Sequence, residues 1–282
     1  MDLELDIING YFWLISSARS GHNFIKNNIE SWTGSGKIYV NLEQESPQNF
    51  SENYIELSSE IYSKSFKAVC VRDLLNWYIS VVFLGKKYER PFIKNLHIPK
   101  IENLRWEREI NNELLRNPDI TFIPNNLSKE RFLEKTYPIG GQYGQTLSAK
   151  ERSIKAIKNW AEIAKEFLGM TDYMKGSVSV YYDEFFVSGE YRKNICDKLG
   201  GIYNEKMLNH IPQIGDYSTF DGNEFQERAQ EMKVLERYKI WDTSDQNREL
   251  LALLKDSEAL ELYLNNFEVN DDKRRFIEKW IK

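Results

Sequence analysis

The apolar positions of this chain fall into short blocks whose spacing alternates between two periods. Tyr11–Ser16 (YFWLIS) is a compact apolar run between Gly10 and the polar stretch SARSG, the pattern of a buried strand. From Asn23 the pattern changes. Phe24, Ile25, Ile29 and Trp32 share one face at helical spacing, so the first unit reads strand, Gly-containing loop, helix. Lys37–Leu42 is a candidate short strand. Lys67–Val71 (KAVCV) is a second buried strand, followed by a helix through Leu75–Phe83. Ser148 opens a further helix with Glu151 three residues on, a capping-box signature. That helix carries Ile154, Ile157, Trp160, Ala161, Ala164, Phe167 and Leu168 and stops at Gly169. Val178–Tyr182 alternates as a third strand, Tyr191–Leu199 is a helix stopped by Gly200 and Gly201, and the chain from Phe225 onward is mostly helical and charged.

Strands that alternate with helices predict an α/β fold with a central parallel sheet flanked by helices. No internal repeat, low-complexity tract or linker interrupts the chain, so the reading is one domain over 1–282. Its least legible stretch is 86–147, with five prolines and the loop-like IGGQYGQ, and is expected to form a lid or the acceptor side of a pocket.

Composition narrows the classes. At 282 residues, 41% hydrophobic and 29% charged, the chain has ample material for a core. A net charge of −5 gives no global attraction to nucleic acid or anionic membrane, so any phosphate site must be a local basic patch. The acidic N-terminus and the shortness of every apolar run argue against a secretory signal and a membrane span, which points to the cytoplasm. Cys70 and Cys196 read as small core residues, with no metal-ligand spacing around them.

Two segments carry candidate chemistry. Ser16–Asn23 (SSARSGHN) lies between a strand and a helix. There successive backbone N–H groups and the helix dipole would favour an anion; Gly21 permits close approach, Arg19 supplies charge, and Ser17, Ser20 and Asn23 supply neutral donors. The triphosphate-binding pattern GxxxxGK[ST] is absent, because Gly21 is followed by His22 and Asn23. The competing interpretation is an ordinary strand-to-helix turn. The second segment begins with Arg72 at the carboxyl end of KAVCV, where ligands of parallel α/β sheets bind, and continues to Ser80 two helical turns on. An Arg and a hydroxyl on one side of a crevice suit a phosphate. Pairing of Arg72 with a neighbouring acid is the alternative.

Together these segments resemble the family of sulfotransferases that use 3′-phosphoadenosine 5′-phosphosulfate (PAPS). ISSARSGHNFI is similar to the family's 5′-phosphosulfate loop, and VCVRDLLNWYIS to its 3′-phosphate motif, a strand ending in Arg-Asp with a Ser eight residues after the Arg. VSVYYDEFFVSGEYRKNICDKLG resembles the family's strand–YEDF–helix segment, and Ser218–Gly222 (STFDG) a stretch of bacterial members. The four occur in the family's order over about half the chain. The resemblance implies a P-loop-like fold and sulfuryl transfer from PAPS to a hydroxyl or amine of a small molecule or glycan. It implies that Arg19, Ser20, Gly21, His22, Asn23 and Phe24 surround the 5′-phosphosulfate and that Arg72 and Ser80 hold the 3′-phosphate. Tyr182 would meet the adenine, Ser218 and Phe220 would flank the nucleotide, and Arg237 would add a late basic residue. Arg19 would stabilise the leaving oxygens. The family's Lys-Thr-His-like triplet has no counterpart in Tyr54–Glu60, which leaves His22 and Glu56 as candidate bases. A P-loop small-molecule kinase using ATP and a non-catalytic nucleotide-binding module are the competing classes.

Overall fold

A computed structural model describes residues 11–17, 21–34, 38–41, 47, 66–88, 149–210, 225, 227–240 and 245–282. Along the chain run β1 (Tyr11–Ser16), α1 (His22–Thr33), β2 (Ile38–Asn41), β3 (Phe66–Val71), α2 (Leu74–Tyr88), α3 (Ala149–Phe167), β4 (Val178–Tyr181), α4 (Tyr182–Val187) and α5 (Gly189–Lys198). Two single 3₁₀ turns, Ala229–Glu231 and Arg237–Ile240, precede α6 (Asp245–Ala252), α7 (Glu258–Asn266) and α8 (Asp271–Trp280). The chain divides into two compact units, Met1–Leu84 with Arg152–Lys282, and Gly85–Glu151. The segment 86–147 falls within the second unit and, apart from 86–88 at the end of α2, lies outside the described residues.

The expected α/β architecture is present. The strands form a parallel sheet in the order β2-β1-β3-β4. Ser16 lies opposite Cys70 and Cys70 opposite Val180, so the carboxyl ends of β1, β3 and β4 reach one edge together. The order turns back at β1: β2 lies on one side of it and β3 on the other. Open parallel sheets bind ligands at such a reversal, outside the carboxyl ends of the diverging strands.

Burial follows the strand period. Leu14, Ala68, Cys70 and Val180 share one face, where they meet Phe24, Ile25, Ile29 and Trp32 of α1 and Phe185, Ile195, Cys196 and Leu199 of α4, α5 and the residue after α5. Ile15, Val69 and Val71, equally buried, take the other face by alternation. The helix face expected for α1 is therefore the observed one. In α3 the buried positions include Ser153, Ile157, Trp160, Ala161, Ile163, Ala164 and Glu166, while Ile154 is 37% exposed, contrary to the reading of its face. The stripe passes through Ser153, four residues before Ile157, and Ile154 sits about 100° round the helix from it. Around α3 and α7, Trp77, Trp160, Tyr263 and Phe267 form an aromatic chain with centroids 5.7–6.5 Å apart.

Buried polar groups close the turns. Glu166 accepts from the N–H groups of Tyr173 (3.1 Å) and Met174 (2.6 Å) and from Thr171 Oγ1 (2.5 Å), stapling the loop between α3 and β4. Arg192 donates from Nη1 to the carbonyls of Phe185 (2.9 Å) and Phe186 (3.0 Å), satisfying the carboxyl end of the short α4. Strand β4 ends at Tyr181, one residue earlier than the alternation suggests; Tyr182 is the first residue of α4.

Candidate anion site at the reversal of the sheet

At the carboxyl end of β1, Ser16 and Ser17 are buried, and the Oγ of each has no hydrogen-bond partner among the described residues. Gly21 caps α1 in the left-handed region (φ 78°, ψ 19°), and its carbonyl accepts from Phe24 N (3.0 Å) and Ile25 N (3.2 Å). A Cβ at Gly21 would drive into the ring of Tyr182, so both the conformation and the space require glycine. Arg19 and Ser20 lie outside the described residues, as do the side chains of His22 and Asn23.

At the end of β3, Arg72 is 2% exposed. Its guanidinium lies over the Tyr182 ring, 4.9 Å from the centroid, and Nη2 donates to Val234 O at 2.6 Å. Trp160 Nε1 donates to the Arg72 carbonyl at 3.0 Å. Ser80, fully buried, donates to Asn76 O (2.8 Å) and accepts from Arg237 Nη1 (2.9 Å). Asn76 lies four residues from each of Arg72 and Ser80 on the α2 side. Its Nδ2 donates to Leu235 O (3.0 Å) and its Oδ1 accepts from Tyr238 N (3.3 Å). Segment 234–238 is thereby fastened over the first turns of α2.

Tyr182 is the hub. Burial pushes its hydroxyl pKa up, and the positive potentials of Arg72 and Arg237 oppose that shift. Phe24 meets it edge-on at 6.3 Å, and Phe186 lies tilted against it at 5.9 Å. Of the residues singled out in sequence, the structure brings together Gly21, Phe24, Arg72, Ser80, Tyr182 and Arg237, with Ser17 at the adjoining strand end. Glu56, Ser218 and Phe220 lie outside the described residues. Trp160, Asn76 and the 234–235 carbonyls escaped the sequence reading. Only Asn76 carried a signal, its i+4 and i−4 spacing to Arg72 and Ser80.

Below Arg72 lies an unanticipated polar cluster. Asp73, fully buried, accepts from Asn76 N (3.0 Å), from Lys273 Nζ (2.7 Å) and from the Tyr263 hydroxyl. Its own N–H donates to Asp183 Oδ2 at 2.9 Å. Burial, then the nearby Asp73 charge, pushes the Asp183 pKa up to about 6, against the pull of Arg72, the Asp73 N–H and Lys273. Burial works against the charge of Lys273, but Asp73 outweighs it and holds that pKa above the usual value.

Chemically, the arrangement offers two guanidinium groups, a hydroxyl and an aromatic ring at one strand end, with a helix N-terminus beside them. That set suits a phosphorylated aromatic ligand. Among the described residues no group of three His, Cys, Asp or Glu side chains could hold a metal, and no helix is long and apolar enough to cross a membrane. No protein-family model matches the chain, and neither a curated protein nor a solved structure matches it significantly.

Proposed function

We propose that this chain is a cytoplasmic sulfotransferase of P-loop-like fold that transfers the sulfuryl group of PAPS to a hydroxyl or amine of a small molecule or glycan. One observation carries the reading: Gly21, Arg72, Ser80, Tyr182 and Arg237, distant in sequence, converge where the sheet order reverses. These are positions at which the resemblance places the two ends of the donor and its adenine. Two buried thiols that form no disulfide fit a reducing compartment.

In this reading Arg72 and Arg237 grip the 3′-phosphate, with Ser80 turning its hydroxyl from Asn76 O toward a phosphate oxygen. Tyr182 packs against the adenine, and the loop before α1 receives the 5′-phosphosulfate. The acceptor oxygen or nitrogen forms a bond to sulfur as the bond from sulfur to the bridging phosphate oxygen breaks, and adenosine 3′,5′-bisphosphate leaves. Arg19, a permanent cation, neutralises the departing oxygens, while His22 or Glu56 takes the acceptor proton.

The deciding measurement is thermal stabilisation by adenosine 3′,5′-bisphosphate compared with ATP plus magnesium, followed by transfer of labelled sulfate from PAPS. A response to the bisphosphate with turnover is expected. Stabilisation by ATP and magnesium alone overturns the reading in favour of a kinase. A second reading, a nucleotide-binding module without turnover, is favoured by one feature: Tyr54–Glu60 carries no histidine where the resembled family places its Lys-Thr-His-like triplet. Bisphosphate binding without transfer would select it.

A further inference from the structure

The link between Arg72 and Asp73 is held from both sides. Trp160 donates to the Arg72 carbonyl, and the next N–H, that of Asp73, donates to Asp183. These two groups belong to the same peptide unit, so together they fix the plane from which the Arg72 side chain departs. Asp183 directly follows Tyr182, the ring on which the Arg72 guanidinium rests. One residue thus joins the two walls of the anion site, the turn after β3 and the start of α4. Asp183 is 8% exposed, and its second oxygen, Oδ1, has no hydrogen-bond partner among the described residues. It spends a buried carboxylate on a single backbone donor. Asp73, by contrast, takes three donors from α2, α7 and α8. A carboxylate buried beside another at that cost is poorly explained as a stabilising contact alone.

We infer that Asp183 is a positioning residue for the anion site: through the Asp73 N–H it orients the Arg72 peptide, and with it the guanidinium that faces the 3′-phosphate of the donor. The inference rests on the nucleotide reading above for the identity of the ligand, but not for the linkage itself. It distinguishes the acceptor function of Asp183 from its charge. An amide oxygen at this position keeps the bond to the Asp73 N–H, whereas a methyl group removes it.

The test compares wild type, Asp183→Asn and Asp183→Ala. Calorimetry gives dissociation constants for adenosine 3′,5′-bisphosphate and adenosine 5′-phosphate, which lacks the 3′ group, and hydrogen exchange follows the Asp73 amide. Asp183→Ala is expected to weaken bisphosphate binding about tenfold or more, to leave 5′-phosphate binding within about twofold, and to speed exchange at Asp73 at least tenfold. Asp183→Asn is expected to stay within about threefold of wild type in all three. Exchange in α5 and α7 should be unchanged, which separates a local effect from unfolding. Equal loss for both nucleotides, or equal loss in the two variants, overturns the positioning role. If the wild type binds no bisphosphate, the nucleotide reading fails by itself, and exchange at Asp73 decides the linkage. Protection lost in Asp183→Ala and kept in Asp183→Asn upholds it; protection alike in both refutes it.

Discussion

Gly21 and Tyr182 form the tightest steric relation in the site. Alanine at position 21 must adopt a left-handed backbone conformation and must also displace an aromatic ring. The first effect costs on the order of 1 kcal/mol, and the collision adds to it. Gly21→Ala is therefore expected to lower stability by about 2–3 kcal/mol in denaturant titration. Tyr182→Ala removes the obstacle but leaves a cavity, at about 3 kcal/mol. The double variant should cost less than the two single changes summed, by about 1 kcal/mol or more, because the collision is counted only once. Strict additivity would show that the ring and the glycine do not meet. At the same scale, Arg72→Ala removes a charged donor. It is expected to weaken binding of adenosine 3′,5′-bisphosphate by about 1.5–3 kcal/mol, roughly 10- to 150-fold, measured by calorimetry.

Between elements, a buried ion pair ties α8 to the turn after β3. Lys273 and Asp73 pair at 2.7 Å with 12% and 0% of their side chains exposed. Removing the cation strands a buried carboxylate, so Lys273→Ala is expected to cost about 3–5 kcal/mol, far above the change of at most about 1 kcal/mol for a surface pair such as Arg228–Glu231. A comparison of urea midpoints for Lys273→Ala and Arg228→Ala checks this. The elements themselves were largely legible in the sequence. β3 and the face of α1 show in local periodicity, because each buries a continuous apolar stripe, and β1 shows as a compact apolar run ending in the buried Leu14 and Ile15. Gly169 and Gly200 mark real stops, both with φ near +70°. Local pattern does not carry the start of α4 at Tyr182, where the choice between one more strand residue and a helical turn is made by Arg192 holding the far end of that turn. It also misplaced Ile154, since an apolar residue one position off the stripe has the same composition as one on it.

For the molecule as a whole, the site was legible only as two halves. Arg72 and Ser80 are eight residues apart and visibly related, but nothing local connects them to Asp183, Tyr263 or Lys273, which arrive through tertiary packing. That packing gives a pH signature. A carboxyl whose native pKa is raised from 3.8 to about 6 holds its proton more tightly when folded. Its contribution to stability is full below about pH 4, falls as the pH rises to about 6, and is level above. The charged and titratable groups that act on Asp183 are Asp73, Arg72 and Lys273. Asp183→Asn should abolish this component, so the difference in Tm between variant and wild type should grow in the variant's favour from pH 4 to pH 6 and then stay constant. A difference independent of pH would mean that Asp183 is not strained by its surroundings.

The hydrogen bond from Arg72 to Val234 spans 162 positions, and the ion pair from Asp73 to Lys273 spans 200. A growing chain emerging from the ribosome has β1, β3 and α1 available long before either partner exists. The guanidinium of Arg72 and the carboxylate of Asp73 must therefore wait in water while the sheet assembles around them. Closure of such long loops is slow relative to helix formation, so the Arg72–Asp73 corner should take its final arrangement late in maturation, after the local helices have formed.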